Sequence, residues 1–165
     1  VASRGLGDVY KRQMLQEVRD ALEARAGAAG LTLELDVPDT AVEVNGSHDE
    51  LAQVFSNLVE NAIKYAGGGE RIILGIRPVP KMQSTVEAFV QDFGRGIPAE
   101  HVPRLTERFY RVEEGKAAKA DGTGLGLSIV RNILQRHNTR LLIQSRPGEG
   151  STFAMRFPSM AKNRT

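Results

Sequence analysis

Leu15, Val18, Leu22 and Ala26 recur at helical spacing over residues 14–29, and Gly27 and Gly30 stand where that helix should end. Leu31, Leu33 and Leu35 then alternate with polar neighbours, the period of a half-buried strand, and Val42 with Val44 marks a shorter one. Ser47 is placed as an N-cap with Glu50 at capping-box spacing. The long helix it opens has Leu51, Val54, Leu58, Ala62 and Tyr65 on its apolar face and stops at Gly67-Gly68-Gly69. Residues 71–76 and 85–91 read as strands joined by a turn region over 78–84, residues 98–107 as a short helix and 125–136 as another helix. Residues 140–145 and 152–157 read as a closing hairpin over Pro147-Gly148-Glu149-Gly150. Residues 112–122 are charged, alanine-bearing and flanked by glycine, without an apolar period, and are expected to form a mobile surface segment.

Strands therefore come in adjacent pairs rather than alternating singly with helices. That order predicts an α/β (α+β) two-layer sandwich, with helices on one face of a mixed, largely antiparallel sheet. The length of 165 residues suits one compact domain, and 41% hydrophobic with 25% charged residues is ordinary for a globular protein. The absence of cysteine excludes disulfides and thiolate metal sites. A formal net charge of +2 is too small to argue for nucleic acid or a membrane surface as partner. No apolar run approaches the roughly 20 residues of a spanning helix, and no signal peptide is visible, so a soluble, cytoplasmic domain is expected. The chain opens on Val1 and is expected to be a piece of a longer one. Residues 1–13 carry no clear period and read as a non-native or linker segment.

Four constellations carry candidate chemistry. Asn57, Asn61 and Lys64 share one face of the long helix and offer oxygen ligands for a hard cation beside an ammonium for phosphate; read alone, they are more simply a solvated polar face. Asp92-Phe93-Gly94-Arg95-Gly96-Ile97-Pro98 follows a strand, so a carboxylate sits at the strand's end before a glycine turn, which alone could be an ordinary connection. The Asp-Phe-Gly triplet is also the magnesium motif of eukaryotic-type protein kinases, but the glycine loop, strand lysine and H-R-D loop which that motif requires are absent. Gly122-Thr123-Gly124-Leu125-Gly126-Leu127 opens a helix, where bare N–H groups and the helix dipole favour an anion. It follows a loop rather than a strand, which excludes a dinucleotide-binding turn. Glu107-Arg108-Phe109-Tyr110-Arg111 places two aromatics at the base of the mobile segment beside an arginine whose fork suits phosphate.

Singly these are weak; their order and spacing are not. An N-x-x-x-N-x-x-K-Y helix, then D-x-G-x-G-I-P, E-R-F-Y-R and G-T-G-L-G-L-S-I-V resembles the catalytic domain of sensor histidine kinases, whose N box, first glycine box, F box and second glycine box these would be. The closing G-E-G-S-T-F also looks like that family's last hairpin, and the resemblance covers about residues 14–158. Within the family, Arg104 to Val112 and His137-Asn138-Thr139-Arg140 look like the phosphate-regulon subfamily. The resemblance implies the Bergerat fold, with ATP and Mg2+ as ligands. By position it makes Asn61 the magnesium ligand and Asn57 and Lys64 phosphate contacts, with Tyr65 lining the nucleotide pocket. Asp92 would bind the adenine amine, and Gly94 and Gly96 would shape the pocket. Arg111 would reach the γ-phosphate, and Gly122, Thr123, Gly124, Leu125 and Gly126 would cradle phosphates. Thr152 would support the adenine carboxylate with its hydroxyl. Asn57, Lys64 and Arg111 would form the catalytic set.

The family's phosphoacceptor histidine, followed by an acid within a helical hairpin, is missing. His48 precedes Asp49 but opens the long helix, and His101 and His137 fall on catalytic-domain elements, His137 as a packing residue. Residues 14–30 would therefore connect from an absent hairpin, 31–158 would form the ATP-binding domain and 159–165 a tail. Implied partners are that hairpin domain and a cognate response regulator, with a homodimer in the full-length protein and a monomeric fragment. The rival readings are a Bergerat-type ATPase and a degenerate nucleotide-binding module. In the gyrase-like branch a glutamate one turn before the metal asparagine activates water; that position here is Asn57, and Glu60, about 100° around the helix from Asn61, should point elsewhere.

Overall fold

A computed structural model of the chain describes residues 12–38, 46–66, 70–82, 84–108 and 126–158. Helix α1 (Arg12–Ala28) leads into strand β1 (Thr32–Asp36), followed by α2 (His48–Tyr65), β2 (Arg71–Pro78) and β3 (Thr85–Asp92). A 3-10 turn (Ala99–Arg104), α3 (Gly126–Arg136), β4 (Leu142–Arg146) and β5 (Gly150–Pro158) complete the order. The sheet runs β1-β2-β3-β5-β4, parallel only between β1 and β2, which is the mixed, largely antiparallel sheet expected from the paired strands. The short strand expected at Val42 and Val44 lies outside the described residues.

One face of the sheet carries the helices. Leu51, Val54, Phe55, Leu58, Val59 and Ala62 of α2 are buried in the same core as Ile72, Leu74, Val86, Val90, Phe153 and Met155 of the central strands. Helix α1 begins at Arg12, ahead of the expected start, and sinks Met14, Leu15, Val18, Leu22 and Ala26 into this core. Gly27 is not its stop: the helix runs through it, and the Leu31 N–H closes back on Ala26 O at 2.8 Å around Gly30, whose φ is +82°. The same closure ends α3 around Asn138 (φ 60°), with the Thr139 N–H donating to Leu134 O at 2.9 Å; asparagine tolerates the left-handed conformation there. On the far face Phe89 is buried although it points away from the helices, because its cross-strand partner Gly75 leaves room and Arg77 stacks on the ring at 4.0 Å.

The start of α2 departs from the expected capping box. Ser47 caps it, its hydroxyl accepting the Glu50 N–H at 3.2 Å. The reciprocal bond from the Glu50 side chain is not made: that carboxylate pairs with Arg136 at 2.7 Å, and the Ser47 N–H donates to His137 Nε2 at 3.2 Å. An accepting Nε2 leaves the proton on Nδ1, which donates to Ile133 O at 2.9 Å. A capping box is local, whereas this arrangement spans two helices and could not be read from spacing. His137→Leu should cost about 1–3 kcal/mol in urea denaturation by leaving the Ser47 N–H without an acceptor. Glu50→Gln should cost less than about 1 kcal/mol, since its partner is exposed. Equal losses would argue for the local box instead.

Candidate functional site

The alternation that points Val86, Ala88 and Val90 toward the helices carries the same face to Asp92, the last residue of β3, which is 6% exposed. Its carboxylate accepts the Gly94 N–H at 2.9 Å and the backbone N–H of Ser151. Burial holds this carboxyl above the usual carboxylate range; the two N–H groups pull the other way and do not prevail. The turn after Asp92 is pressed against two neighbours. A Cβ on Gly94 would overlap Ala66, the residue that ends α2, so only glycine lets the turn touch that helix. Gly96 has φ +76° and lies on the Arg146 carbonyl, while the Gly148 N–H donates to Arg95 O at 2.8 Å and the Ile97 N–H to Ser145 Oγ at 2.8 Å. The glycine turn is thereby tied to the end of α2 on one side and to the β4–β5 hairpin on the other.

Helix α2, whose cap Ala66 meets the glycine turn, carries the polar row. Asn57 is half-buried, and its Nδ2 is fully buried without a hydrogen-bond partner among the described residues. Asn61 is half-buried and Lys64 exposed, so the row rises from the core toward solvent. Lys64 Nζ stands 5.6 Å from the ring centre of the half-buried Tyr65. Glu60 points away as expected and pairs with Arg25 of α1 at 3.0 Å. A buried amide donor without an acceptor among the described residues suits an anionic oxygen, and a buried carboxylate that among those residues meets N–H groups alone suits a donor such as an amine.

The expectation for Thr152 is corrected. In the β3–β5 register Asp92 faces Ser151, and Thr152 faces Gln91, so the Thr152 side chain lies on the opposite face of the sheet from Asp92. The hydroxyl beside Asp92 belongs to Ser151, which is 5% exposed. A shift of one residue along a strand exchanges its faces, and the register that decides it is set by strands distant in sequence. Arg111, Gly122, Thr123, Gly124 and Leu125, with the expected mobile segment, lie outside the described residues. Gly126 is the first residue of α3 and is exposed, with open space where a Cβ would stand. Of the histidines, His48 contacts Glu17 of α1 at 3.3 Å from the first turn of α2, His101 lies in the 3-10 turn, and His137 holds the α2–α3 junction.

This sheet and site define a nucleotide-binding class: residues 46–161 match the model of the histidine kinase-, DNA gyrase B- and HSP90-like ATPases, and the chain belongs to that family. It is 44% identical over 144 residues to the phosphate regulon sensor protein PhoR of Pseudomonas aeruginosa, covering 87% of this chain and 32% of PhoR. It is 33% identical over 131 residues to the sensor protein kinase WalK of Staphylococcus aureus, covering 79% and 31%. The chain thus spans about a third of the length of these curated relatives. Among solved structures, the catalytic domain of the histidine kinase ThkA is similar with a TM-score of 0.72 and 25% identity, over 88% of this chain and 92% of that one. Full-length ShkA in complex with AMPPNP shares the fold with a TM-score of 0.80 at 23% identity, over 94% of this chain and 31% of that one. Among the described residues, no helix is long and apolar enough to cross a membrane.

The raised carboxyl has a consequence for stability. Asp92 binds its proton more tightly in the folded than in the unfolded chain, so its contribution to stability is present below the unfolded carboxylate value and is lost as pH rises through the folded one. At neutral pH the buried charge is a cost. Asp92→Asn, measured by denaturant unfolding without ligand, should be more stable than wild type at pH 7, and the advantage should shrink toward about pH 4. An Asn variant less stable at neutral pH would show that the carboxylate stabilises the fold.

Proposed function

We propose that the chain is the ATP-binding catalytic domain of a two-component sensor histidine kinase, which passes the γ-phosphoryl group of Mg-ATP to a histidine on a separate helical hairpin. The observations that carry this reading are a buried carboxylate at the end of β3 and, on the helix that ends against the same turn, a buried amide donor without a partner among the described residues. The first suits the amine of adenine and the second a phosphate oxygen. The match to the kinase-type ATPase family and the sensor-kinase names of its relatives support the same assignment.

In the transfer, the bond from the γ-phosphorus to the bridging oxygen breaks, a bond to an imidazole nitrogen forms, and ADP leaves. Such a step asks the protein mainly to position and to neutralise charge. Asp92 orients the base, with Gly94 and Gly96 keeping the turn close and Tyr65 lining the pocket. Asn57 donates to phosphate, and the exposed ammonium of Lys64 meets its charge. Magnesium, when bound, neutralises the phosphates, and the amide oxygen of Asn61 is the group assigned to hold it. Arg111 and the segment from Gly122 to Gly126 are assigned to the phosphates by their place in the sequence.

The phosphoacceptor hairpin, a cognate response regulator and a homodimer belong to the full-length protein in this reading. Residues 14–30 lead in from the hairpin, 31–158 form the catalytic domain and 159–165 a tail. The fragment itself is taken as a cytoplasmic monomer. The identity to the phosphate regulon sensor protein supports a place beside that sensor.

Asp92→Asn should weaken ATP binding by roughly 10- to 100-fold in calorimetry, the range for a hydrogen bond to a charged group. Unchanged affinity in the folded variant would remove Asp92 from the site. The domain should also hydrolyse Mg-ATP slowly, because Asn57 supplies no general base, a contribution worth about 100- to 10,000-fold. It should nevertheless label a family hairpin domain added in trans with acid-labile phosphate. A brisk steady-state ATPase abolished by Asn61→Ala would place the chain among the hydrolytic members instead.

A further inference from the structure

Ser145 lies on β4, and its hydroxyl meets three groups. It accepts the Ile97 N–H at 2.8 Å, reaches Gly150 O at 3.2 Å and meets Ser151 Oγ at 2.7 Å. A serine hydroxyl has one proton and two lone pairs. If the Ser145 proton goes to Gly150 O, the Ser151 hydroxyl must donate to Ser145, and all three contacts are hydrogen bonds. If Ser145 donates to Ser151 instead, the Gly150 contact is lost and the Ser151 proton has none of these partners. The first arrangement satisfies more of these partly buried polar atoms, and polar atoms withdrawn from water are satisfied wherever geometry allows. It leaves Ser151 Oγ with free lone pairs and no free proton.

Ser151 is the cross-strand partner of Asp92 on the helix-facing side of the sheet, and directly paired side chains stand about 5 Å apart at Cβ. We propose that Ser145 is a positioning residue for base selection: by drawing the Ser151 proton toward β4, it makes Ser151 Oγ a second acceptor beside the Asp92 carboxylate. Two acceptors side by side take a group that only donates. An exocyclic amine qualifies, directly or through a water, and a ring carbonyl in its place meets lone pairs on both sides. Ser145 thus governs discrimination between amine- and carbonyl-bearing purines without touching the base, and it also holds the Ile97 end of the glycine turn. This inference rests on the ATP reading above.

ATP and inosine triphosphate differ in this group, an amine against a carbonyl, and serve as the probe pair in calorimetric titrations of the whole chain with magnesium. Wild type should prefer ATP. Ser145→Ala frees the Ser151 proton to turn into the pocket, and the ATP-to-inosine-triphosphate affinity ratio should fall about three- to tenfold, the worth of one hydrogen bond. Ser145→Thr keeps the hydroxyl and should restore the ratio. A merely structural role would weaken both nucleotides alike in Ser145→Ala, and an unchanged ratio overturns the proposal. Should that variant fail to fold, Ser151→Ala carries the test: it removes the second acceptor, and an unchanged ratio there overturns the proposal equally. Failure of the ATP reading itself is distinguishable, because it would appear in wild type as no ATP binding and would remove the proposal with it.

Discussion

The buried Asp92 carboxylate is the constraint around which the rest of the site is arranged. A charge taken out of water without a countercharge is tolerated only where dipoles replace the lost hydration. Here the dipoles are backbone N–H groups from Gly94 and Ser151. Bringing them to the carboxylate requires that the turn after β3 fold back tightly and that β5 lie alongside in one register. The close approaches of Gly94 to Ala66 and of Gly96 to the Arg146 carbonyl serve the same requirement, because they hold the turn against α2 and the last hairpin. Among the described residues no countercharge meets this acceptor, which suits it to recognise a donor and makes its ionised form a cost to the fold.

Helix α2 is the second part of the device and is secured along its length by neighbours remote in sequence. Its first turn is held by Ser47 to His137 and by Glu50 to Arg136, its middle by Glu60 to Arg25, and its end by Ala66 against Gly94. Its apolar face fills the core, so the helix cannot rotate without exposing Leu58 or Val59. Asn57, Asn61 and Lys64 are therefore carried at fixed heights above the core. The Glu60 ion pair with α1 also removes the carboxylate nearest in sequence to Asn61 from the polar row.

Polar atoms that look incidental in the sequence connect these parts. Ser145 and Ser151 link β4, β5 and the glycine turn through hydroxyls whose single protons must be shared among several acceptors. His137 occupies one tautomer because its two nitrogens face opposite kinds of partner, an N–H and a carbonyl. In both places the direction of a proton, rather than the presence of a side chain, determines what the neighbouring element offers.

The sequence by itself determined the elements, their pairing into a two-layer sandwich and the order of the chemical motifs. These are local properties: the apolar period, the Ser47 cap, the turn glycines, the spacing of Asn57, Asn61 and Lys64 and the place of Asp92 at a strand's end are each written within one helix, turn or strand. Tertiary structure decided which side chains meet. Thr152 was expected beside Asp92 and Ser151 stands there, because strand register is fixed by β3 packing on β5 across more than one element of intervening chain. The capping box gave way to a clamp on α3 because His137 and Arg136 approach Ser47 and Glu50 only when the helices pack. The elevation of the Asp92 carboxyl was equally invisible, since desolvation depends on what covers a group, and what covers Asp92 comes from elements far apart in the chain.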